Sequence, residues 1–413
     1  MAHSAPRTAI VVGAGIVGLS TAWFLQERGV EVTVVDRTGV AAGSSWGNAG
    51  WISPGLTIPL NEPDVLRYGL ASLFDPTAPL RIPASANPRM WSFLVRFAAH
   101  CRWSTWRRAV RAAVALNEAS LPAYDVLTAN GVDAPLTEGP ITAIFETREQ
   151  ATGFEDQLRR FTEAGQPVTH TVLTGPAVRE QVPLASDRIT TAIRVEGQRH
   201  LDPGRFVQDL GDAVVRRGAT LRIAEATEVG SRAGVVAVRC ADGTELTADV
   251  AVLATGAWLS RLAGRRVRVP VRAGRGYSFT VPTDRPVETP IYLPDARVAC
   301  TPYRGGLRVA GTMEFRSPDA PAVPARLDAI AAAAQPLLDG INWAQRTDLW
   351  VGPRPLSSDS RPVIGATPEP GIYVAGGHGM WGMAQGPATG RFLTELITTG
   401  KLPAALREFD PVR

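Results

Sequence analysis

The segment TAIVVGAGIVGLSTAWFLQERGVEVTVVD, at residues 8–36, carries the strongest indication of the fold. A short β-branched run at 9–12 precedes the glycine pattern Gly13-Ala-Gly15-Ile-Val-Gly18, and helix-forming residues then continue to Arg28. The alternating run Glu31-Val-Thr-Val-Val-Asp36 follows and ends in an acid 21 residues after Gly15. This order predicts a strand, a glycine turn, a helix and a second strand.

Each glycine of this pattern has a steric function in a dinucleotide-binding βαβ unit. Gly13 permits a tight turn, Gly15 lets the backbone approach a pyrophosphate, and Gly18 lets the helix pack closely on the strand. The helix amino terminus offers free N–H groups and a positive dipole to the phosphates. Asp36 can accept hydrogen bonds from the ribose hydroxyls. The segment therefore predicts a bound dinucleotide.

An export signal or a membrane helix is the alternative interpretation of the same residues. Residues 9–25 carry no charge and follow Arg7, as the apolar core of a signal peptide does. The glycine spacing and the acid at Asp36 favour the βαβ unit, because an apolar membrane segment requires neither of them.

The composition is that of a soluble globular protein. Of 413 residues, 45% are hydrophobic and 20% are charged, which excludes a mainly disordered chain, a collagen and a multi-span membrane protein. The length suggests two or three structural units. The net charge is only +4 and the arginines are spread evenly, so nucleic acid is not an expected partner. Three separated cysteines and five histidines favour a cytoplasmic location and no metal site.

Further glycine-rich segments could contact the same cofactor. Residues 39–55 read GVAAGSSWGNAGWISPG, which is either a loop that wraps the cofactor with backbone amides or a flexible connection. Residues 249–258 (DVAVLATGAW) and 371–383 (GIYVAGGHGMWGM) each predict a buried strand that runs into a glycine turn. Residues 386–397 predict an amphipathic helix.

With these segments the chain resembles the D-amino-acid oxidase-like flavoproteins. The likeness is greatest to the small subunit of bacterial D-amino-acid dehydrogenase and weaker to glycine oxidase. It extends through nearly the whole chain but is dense only in a few blocks. In the loop these are Ser44-Ser45, Asn48-Ala49-Gly50 and Ile52-Ser53-Pro54-Gly55. Further along the chain they are Gly276-Tyr277-Ser278, with Arg275 where the family has lysine, and Gly352-Pro353-Arg354-Pro355 followed by Pro362-Val363-Ile364-Gly365.

The resemblance implies an α/β fold (α+β overall) of glutathione-reductase-like architecture. A discontinuous Rossmann-type FAD-binding domain would comprise residues 1–60, 196–266 and 346–413, and a mixed-sheet substrate domain would comprise 61–195 and 267–345. Strands of the substrate domain are expected within 137–147, 276–281 and 307–313. No cysteine lies in the turn 377–383, so FAD is expected to be bound non-covalently.

The resemblance also implies which residues contact FAD. They belong to the glycine turn, the end of the second strand, the small-residue loop and the two later glycine turns: Gly13, Gly15, Ile16, Val17, Gly18, Asp36, Arg37, Ser44, Ser45, Asn48, Ala49, Gly50, Ile52, Thr255, Gly256, Trp258, Gly377, His378, Gly379, Met380, Trp381, Gly382 and Met383. Val229 is either the residue whose backbone meets the adenine or a buried strand valine.

Arg354 is the first candidate for substrate binding. Pro353 and Pro355 stiffen the backbone on both sides of it, and a guanidinium can hold a carboxylate through two parallel hydrogen bonds. The family uses the matching arginine in this way. An arginine without this motif would be an ordinary surface charge.

Four further residues are candidates at the same site. His378 either contacts the flavin or caps its own turn, and Tyr277 either places its hydroxyl over the substrate or is an ordinary strand aromatic. Arg275 is a second anion contact or a solvent-exposed charge, and Trp381 could narrow the pocket.

The expected reaction is FAD-dependent oxidative deamination, most of all of a D-amino acid. By the resemblance, hydride leaves the α carbon for flavin N5, and the imino acid then hydrolyses to a 2-oxo acid and ammonia. Met380 stands where glycine oxidase has an arginine and Pro302 stands where the bacterial dehydrogenase has one, so a second cationic contact is missing and glycine is disfavoured.

Other functions remain open at this point. The substrate could be a secondary or N-substituted amino acid, proline-like or sarcosine-like, and the chain could be a non-catalytic flavin-binding subunit. A flavin monooxygenase would carry Gly-Asp-Ala near the last strand, where this chain has Ala375-Gly-Gly-His-Gly.

The electron acceptor would be oxygen or a quinone-type carrier, and an oligomer is compatible with the sequence. Residues 91–108 mix aromatics with arginine at helical spacing, so they form either a core helix pair or a peripheral contact with the inner membrane face.

Overall fold

The computed structural model describes residues 5–65, 78–83 and 87–413. Parts of the predicted substrate domain, at 66–77 and 84–86, therefore lie outside the described residues. The strands are, in chain order, β1 Thr8–Val12, β2 Glu31–Asp36, β3 Trp51–Ile52, β4 Leu80–Arg81, β5 Thr137–Glu138, β6 Ile141–Phe145, β7 His170–Thr174, β8 Thr191–Val195, β9 Arg199–His200, β10 Thr220–Ile223, β11 Ala226–Arg232, β12 Val235–Cys240, β13 Glu245–Ala248, β14 Val250–Leu253, β15 Val271–Pro282, β16 Ile291–Leu293, β17 Val298–Tyr303, β18 Gly306–Phe315, β19 Thr347–Ser357, β20 Val363–Ala366 and β21 Ile372–Gly376.

The described α-helices connect these strands and cover their sheets. They are α1 Ile16–Glu27, α2 Pro88–His100, α3 Trp103–Glu118, α4 Ser120–Ala129, α5 Arg148–Glu163, α6 Pro176–Gln181, α7 Pro203–Arg216, α8 Leu259–Ala263, α9 Pro324–Ala334 and α10 Gly382–Thr399.

The segment at residues 8–36 forms the predicted strand–turn–helix–strand unit, β1–α1–β2. β1 is a central strand of a six-stranded sheet in the order β10-β2-β1-β14-β21-β20, which is parallel except for the β20–β21 pair. Alternate side chains of β1 point to opposite faces, as the pleat requires. Val11 packs in the helical layer with α1, α7 and α10, whereas Ile10 packs against the small antiparallel sheet β11-β12-β13. Both faces of the six-stranded sheet are buried, which explains why its strands are apolar along nearly their whole length.

A nine-stranded mixed sheet forms the second layer system. Its order is β19-β15-β18-β17-β16-β6-β8-β7, and β4 pairs with β18. The predicted strands at 276–281 and 307–313 lie inside β15 and β18. The predicted strand at 137–147 is wrong in its continuity, because Gly139 and Pro140 interrupt it. Its first part, β5, pairs with β9 in a separate three-stranded sheet, and β6 enters the nine-stranded one.

The division of the chain into an FAD-binding and a substrate domain stays a prediction. β19 belongs to the nine-stranded sheet although it lies within 346–413, the range assigned to the FAD-binding domain. β20 and β21, which follow directly, belong to the six-stranded sheet. The chain therefore passes from one sheet to the other within that range.

The arginine- and tryptophan-rich stretch at 91–108 forms parts of α2 and α3. Phe93 and Trp106 are fully buried, whereas Trp91 and Val95 are 50% and 67% exposed. The stretch therefore contributes to the core and also presents apolar side chains at the surface. In the part of the chain that the structure describes, no helix is both long and apolar enough to cross a membrane.

The contact between α1 and α10 tests how tightly the helical layer is packed. A Cβ at Gly390 would lie 2.7 Å from the backbone of Ser20 and Thr21, so we expect Gly390→Ala to lower the free energy of unfolding by about 1–3 kcal/mol through overpacking. The matched control is Gly153→Ala in α5, where nothing lies within 4 Å, and it should raise stability by about 1 kcal/mol. Urea unfolding measures both, and changes of the same sign would contradict this packing.

Candidate active site

A cavity of about 630 Å³ opens where the carboxyl ends of β1, β2, β14 and β21 face β18 and β19. Val12, Asp36, Ala254 and Gly376 line it from the six-stranded sheet, and Thr312 lines it from the nine-stranded sheet. In open α/β sheets, ligands bind beyond the carboxyl ends of the strands, which is the position of this cavity.

The glycine turn is held by contacts that leave no room for a side chain. Gly13 has a φ of +118°, and a Cβ there would lie 2.4 Å from the carbonyl oxygen of Ala254. A Cβ at Gly18 would lie 1.9 Å from the carbonyl oxygen of Gly13. The start of α1 is therefore pressed against the ends of β1 and β14, and Gly15, Ile16 and Val17 line the cavity.

Asp36 joins the two strands of the βαβ unit at the cavity wall. Its Oδ2 accepts a hydrogen bond from the Ala14 N–H at 2.9 Å. Its Oδ1 accepts from the N–H groups of Thr38 and Gly39 at 2.9 and 3.0 Å. These bonds fix the carboxylate at the edge of the cavity, where its remaining lone pairs can accept from hydroxyl groups of a ligand.

Arg37 and Trp258 form the wall next to Asp36. The Arg37 guanidinium lies 4.1 Å from the centre of the Trp258 ring, and the Trp258 Nε1–H donates to Asp319 at 2.8 Å. Asp319 also forms ion pairs with Arg37 and Arg261. The loop before α9, which carries Asp319, therefore ties this wall to the nine-stranded sheet.

The small-residue loop connects both sheets at the cavity. The Ile16 N–H donates to the Ser45 Oγ at 3.1 Å, and the Ser44 hydroxyl donates to the carbonyl of Pro353. Asn48 holds the turn by accepting from the Gly50 N–H at 2.8 Å. The loop is thus bonded to the helix start and to β19, rather than being a free connection.

Most of the predicted cofactor and substrate residues line this one cavity. They are Gly13, Gly15, Ile16, Val17, Asp36, Arg37, Ser44, Ser45, Asn48, Ala49, Thr255, Gly256, Trp258, Arg354, His378, Gly379, Met380, Trp381, Gly382 and Met383. The predicted residues that do not line it are Gly18, Gly50, Ile52, Val229, Arg275, Tyr277 and Gly377.

Val229 lies outside the cavity because β11 turns it into the core between the sheets. It is buried with Val236 and Val238, and its carbonyl accepts from Arg266 at 2.8 Å. Residues 224–227, just before it, line the cavity instead.

Arg354 projects from β19 into the cavity over Gly276. A Cβ at Gly276 would lie 2.2 Å from the Arg354 Cζ, so the glycine makes room for the guanidinium. Its Nη1 donates to the carbonyl oxygen of Thr312 at 2.6 Å. Burial lowers the pKa of Arg354 to about 10, and no carboxylate lies within ion-pair distance of it among the described residues.

Thr312 holds this carbonyl in a rare conformation. It lies at a β-bulge of β18 opposite β15 and has a φ of +58°, which is a strained value for a β-branched residue. Bulges often redirect groups at active sites. Here the bulge directs a backbone carbonyl to Arg354.

The structure corrects the expectation that Tyr277 and Arg275 reach the substrate. Residues alternate between the faces of β15. Gly276 and Ser278 face the cavity side, so the residues between and before them point into the opposite layer under α9. There the Tyr277 hydroxyl donates to Glu314 at 2.8 Å, and Arg275 lies 3.8 Å from the same carboxylate.

His378 is buried in the turn after β21 and faces both the cavity and α10. Its Nε2 lies 2.9 Å from the Thr389 Oγ1, which fixes the ring. Burial lowers the pKa of His378 to about 4, so the imidazole is neutral at pH 7. Trp381 closes the neighbouring wall, and its Nε1–H donates to the carbonyl of Ile58 at 3.1 Å.

The amino terminus of α10 also faces the cavity. Gly382 and Met383 line it, and no side chain among the described residues caps the first turn. Free N–H groups and the positive helix end favour an electron-rich ligand atom here. Tyr124 and Ser120 hold this turn from behind by donating to the carbonyls of Met383 and Ala384.

The sequence patterns did not reveal several residues that line the cavity, among them Glu62, Gln157, Glu225, Tyr292, Arg297, Thr312 and Trp350. The sequence indicates Trp350 only indirectly, because Gly47 and Gly352 lack side chains at the place where its ring lies. A Cβ at either position would be within 2.0 Å of that ring. The others come from segments without a motif.

A sequence model of the family described as FAD dependent oxidoreductase (DAO) matches residues 8–396. The D-amino acid dehydrogenase of Vibrio vulnificus (strain YJ016) is 28% identical over 400 residues, which cover 94% of this chain and 95% of that protein. The D-amino acid dehydrogenase of Xylella fastidiosa (strain M23) is 31% identical over 404 residues, covering 94% and 91%. The crystal structure of glycine oxidase from Geobacillus kaustophilus is 21% identical, with a TM-score of 0.74 over 100% of this chain and 99% of that one.

The depressed pKa of His378 predicts a pH-dependent loss of stability. Between its ordinary value of 6.5 and the folded value of about 4, the unfolded chain binds the proton and the folded chain does not. The stabilisation is therefore complete above pH 6.5 and is lost as the pH falls, by about 2 kcal/mol at pH 5. His378→Gln should make this decrease smaller. Burial also lowers the pKa of His200 to about 4, so His200 should contribute its own loss of stability in both proteins. Urea unfolding of both proteins at pH 7 and pH 5 tests this, and parallel losses would contradict it.

Proposed function

The chain belongs to the DAO family of FAD-dependent oxidoreductases, and on that premise we propose that it oxidatively deaminates a D-amino acid to a 2-oxo acid and ammonia. It is an FAD-dependent enzyme that acts on amino acids, as the family and its named relatives indicate. The D configuration and the roles of individual residues are the proposed part.

The residues at the cavity fit FAD. The glycine turn exposes the backbone where a pyrophosphate would lie, since a Cβ at Gly13 or Gly18 would collide with backbone atoms. Asp36 would hold the ribose, Arg37 and Trp258 would flank the adenosine end, and the start of α10 would face the flavin end. When bound, FAD supplies the acceptor for the hydride of the substrate α carbon.

The main support for the proposal is the environment of Arg354. A cation in a cavity, with only a backbone carbonyl as its partner among the described residues, lacks the counter-charge that buried charges require. A substrate carboxylate supplies that charge. Because Thr312 occupies one nitrogen of the guanidinium, the bound carboxylate is held in one orientation.

The other cavity residues position the substrate and exclude water. His378 is neutral and fixed by Thr389, so it offers a hydrogen bond without placing a charge beside the reacting carbon. Met380 and Trp381 cover the site with apolar surface. The reacting amine must lose its proton to solution before oxidation, and the mechanism assigns no side chain as the base.

An anaerobic titration of the flavin absorbance tests the function directly. The FAD-loaded protein is mixed with D-amino acids, the L-forms, and N-methyl amino acids. We expect the D-forms to bleach the flavin, and readmitted air then separates an oxidase from a dehydrogenase. Reduction only by secondary amines would replace the D-amino acid by a proline-like or sarcosine-like substrate. A bound flavin that no amine reduces would contradict an enzymatic function.

Arg354→Met should remove the carboxylate contact. We expect kcat/KM to fall by about 30- to 3,000-fold, equivalent to about 2–5 kcal/mol for a buried charge contact. FAD content should stay unchanged. Arg272→Met is the matched control, because Arg272 is a half-buried arginine on the adjacent strand that does not line the cavity. Similar losses in the two variants would contradict a specific role for Arg354.

A further inference from the structure

A second charge without an ion-pair partner lies in the same cavity. Glu62 lines it, and both carboxylate oxygens accept from the Nε2 of Gln157, at 2.8 and 2.9 Å. Gln157 reaches the cavity from α5. Among the described residues, no cationic group lies within 4 Å of this carboxylate, so a neutral amide is its direct partner.

The surroundings of Glu62 leave its charge poorly compensated. Burial raises the pKa of Glu62, and Asp64 adds to this rise, while the hydrogen bond from Gln157 and the longer-range fields of Arg297 and Arg160 act in the opposite direction without cancelling it. A buried carboxylate whose direct partner is neutral remains costly, and a cation that enters the cavity relieves that cost.

Glu62 and Arg354 line the same cavity, and a short series of neighbouring residues connects them. Arg354 bonds to the carbonyl of Thr312. A Cβ at the preceding residue, Gly311, would lie 3.4 Å from the carbonyl oxygen of Arg297, which acts electrostatically on Glu62. These two groups carry opposite charges, and neither has an ion-pair partner among the described residues.

Apolar side chains line the cavity together with these two charges. Leu60, Phe97 and Met313 belong to one packed cluster that also contains Met380 of the turn after β21. A ligand that satisfies all these groups has a carboxylate at one end, an aliphatic middle and a cation at the other end.

We propose that Glu62 binds the cationic end of the substrate side chain, so that the preferred substrates are basic D-amino acids such as D-lysine and D-arginine. This assignment rests on the proposed function and specifies its substrate class. Gln157 holds the Glu62 carboxylate in place for an ammonium or guanidinium group. Arg354 holds the α-carboxylate of the same molecule.

A pair of substrates that differ only at the far end of the side chain tests this assignment. D-Lysine and D-norleucine have side chains of matched length, and only D-lysine carries the ammonium group. Anaerobic stopped-flow reduction of the FAD-loaded enzyme gives the apparent Kd and the reduction rate for each. We expect the wild-type enzyme to bind D-lysine roughly 10- to 100-fold more tightly, the range of one charge-assisted contact.

Glu62→Gln provides the second arm of the test. It should raise the apparent Kd for D-lysine by roughly the same 10- to 100-fold and leave that for D-norleucine unchanged within about twofold. Glu163→Gln, which alters an exposed carboxylate on the α5 helix that carries Gln157, is the matched control and should change neither value. Flavin content and the unfolding midpoint verify that each variant is folded.

Each other outcome has a separate meaning. Equal affinity of the wild-type enzyme for both substrates would overturn the side-chain assignment and leave the proposed function intact. An equal loss for both substrates in Glu62→Gln would assign Glu62 to the α-amino group, which also overturns it. If no D-amino acid reduces the wild-type flavin, the proposed function fails and the assignment fails with it.

Discussion

The close contact between the Gly13 turn and Ala254, directly after the end of β14, determines the geometry of the site. With Gly18 pressed against the Gly13 carbonyl and Gly13 against Ala254, the start of α1 can lie only over the carboxyl ends of β1 and β14. Asp36 then fixes the end of β2 to the same turn through the Ala14 N–H. These contacts are made by backbone atoms, so larger side chains would separate the strands whose ends form the cavity floor.

The charged groups of the cavity have different partners from the charged groups that stabilise the fold. Asp359 is buried, but it bonds to Arg361 and Arg413, and these interactions lower its pKa to about 2 despite its burial. In the part of the chain that the structure describes, the direct partners of Arg354 and Glu62 are neutral, a carbonyl and an amide. Two arginines surround Asp359, whereas no ion-pair partner for Arg354 or Glu62 lies among the described residues, and this contrast supports the proposal that a ligand supplies the opposite charges. The charge of the direct partner therefore distinguishes a structural ion pair from a binding site more clearly than burial does.

The sequence predicted the features that depend on short-range geometry. The β1–α1–β2 unit follows from glycines and an acid within one segment, and Arg354, singled out by its flanking prolines, lines the cavity. Tyr277 and Arg275 were assigned to the site although they lie on the other face of β15, because a motif identifies a strand but not which of its faces meets the ligand. Val229 lies a few residues beyond the cavity for a similar reason, since the path of β11 is set by its pairing with β12.

The sequence could not predict that Glu62, Gln157 and Thr312 line the cavity, because each of these positions depends on a contact between distant segments. Gln157 and Glu62 are 95 positions apart, and the strained backbone of Thr312 arises from a mismatch of register between β15 and β18. The groups proposed to hold the cofactor are mainly backbone groups in local turns, which leave a spacing pattern in the sequence. The groups proposed to bind the substrate are single side chains from separate segments, which leave no such pattern. The chain can therefore share the cofactor motifs of its family and still select its own substrate, because different segments determine the two properties.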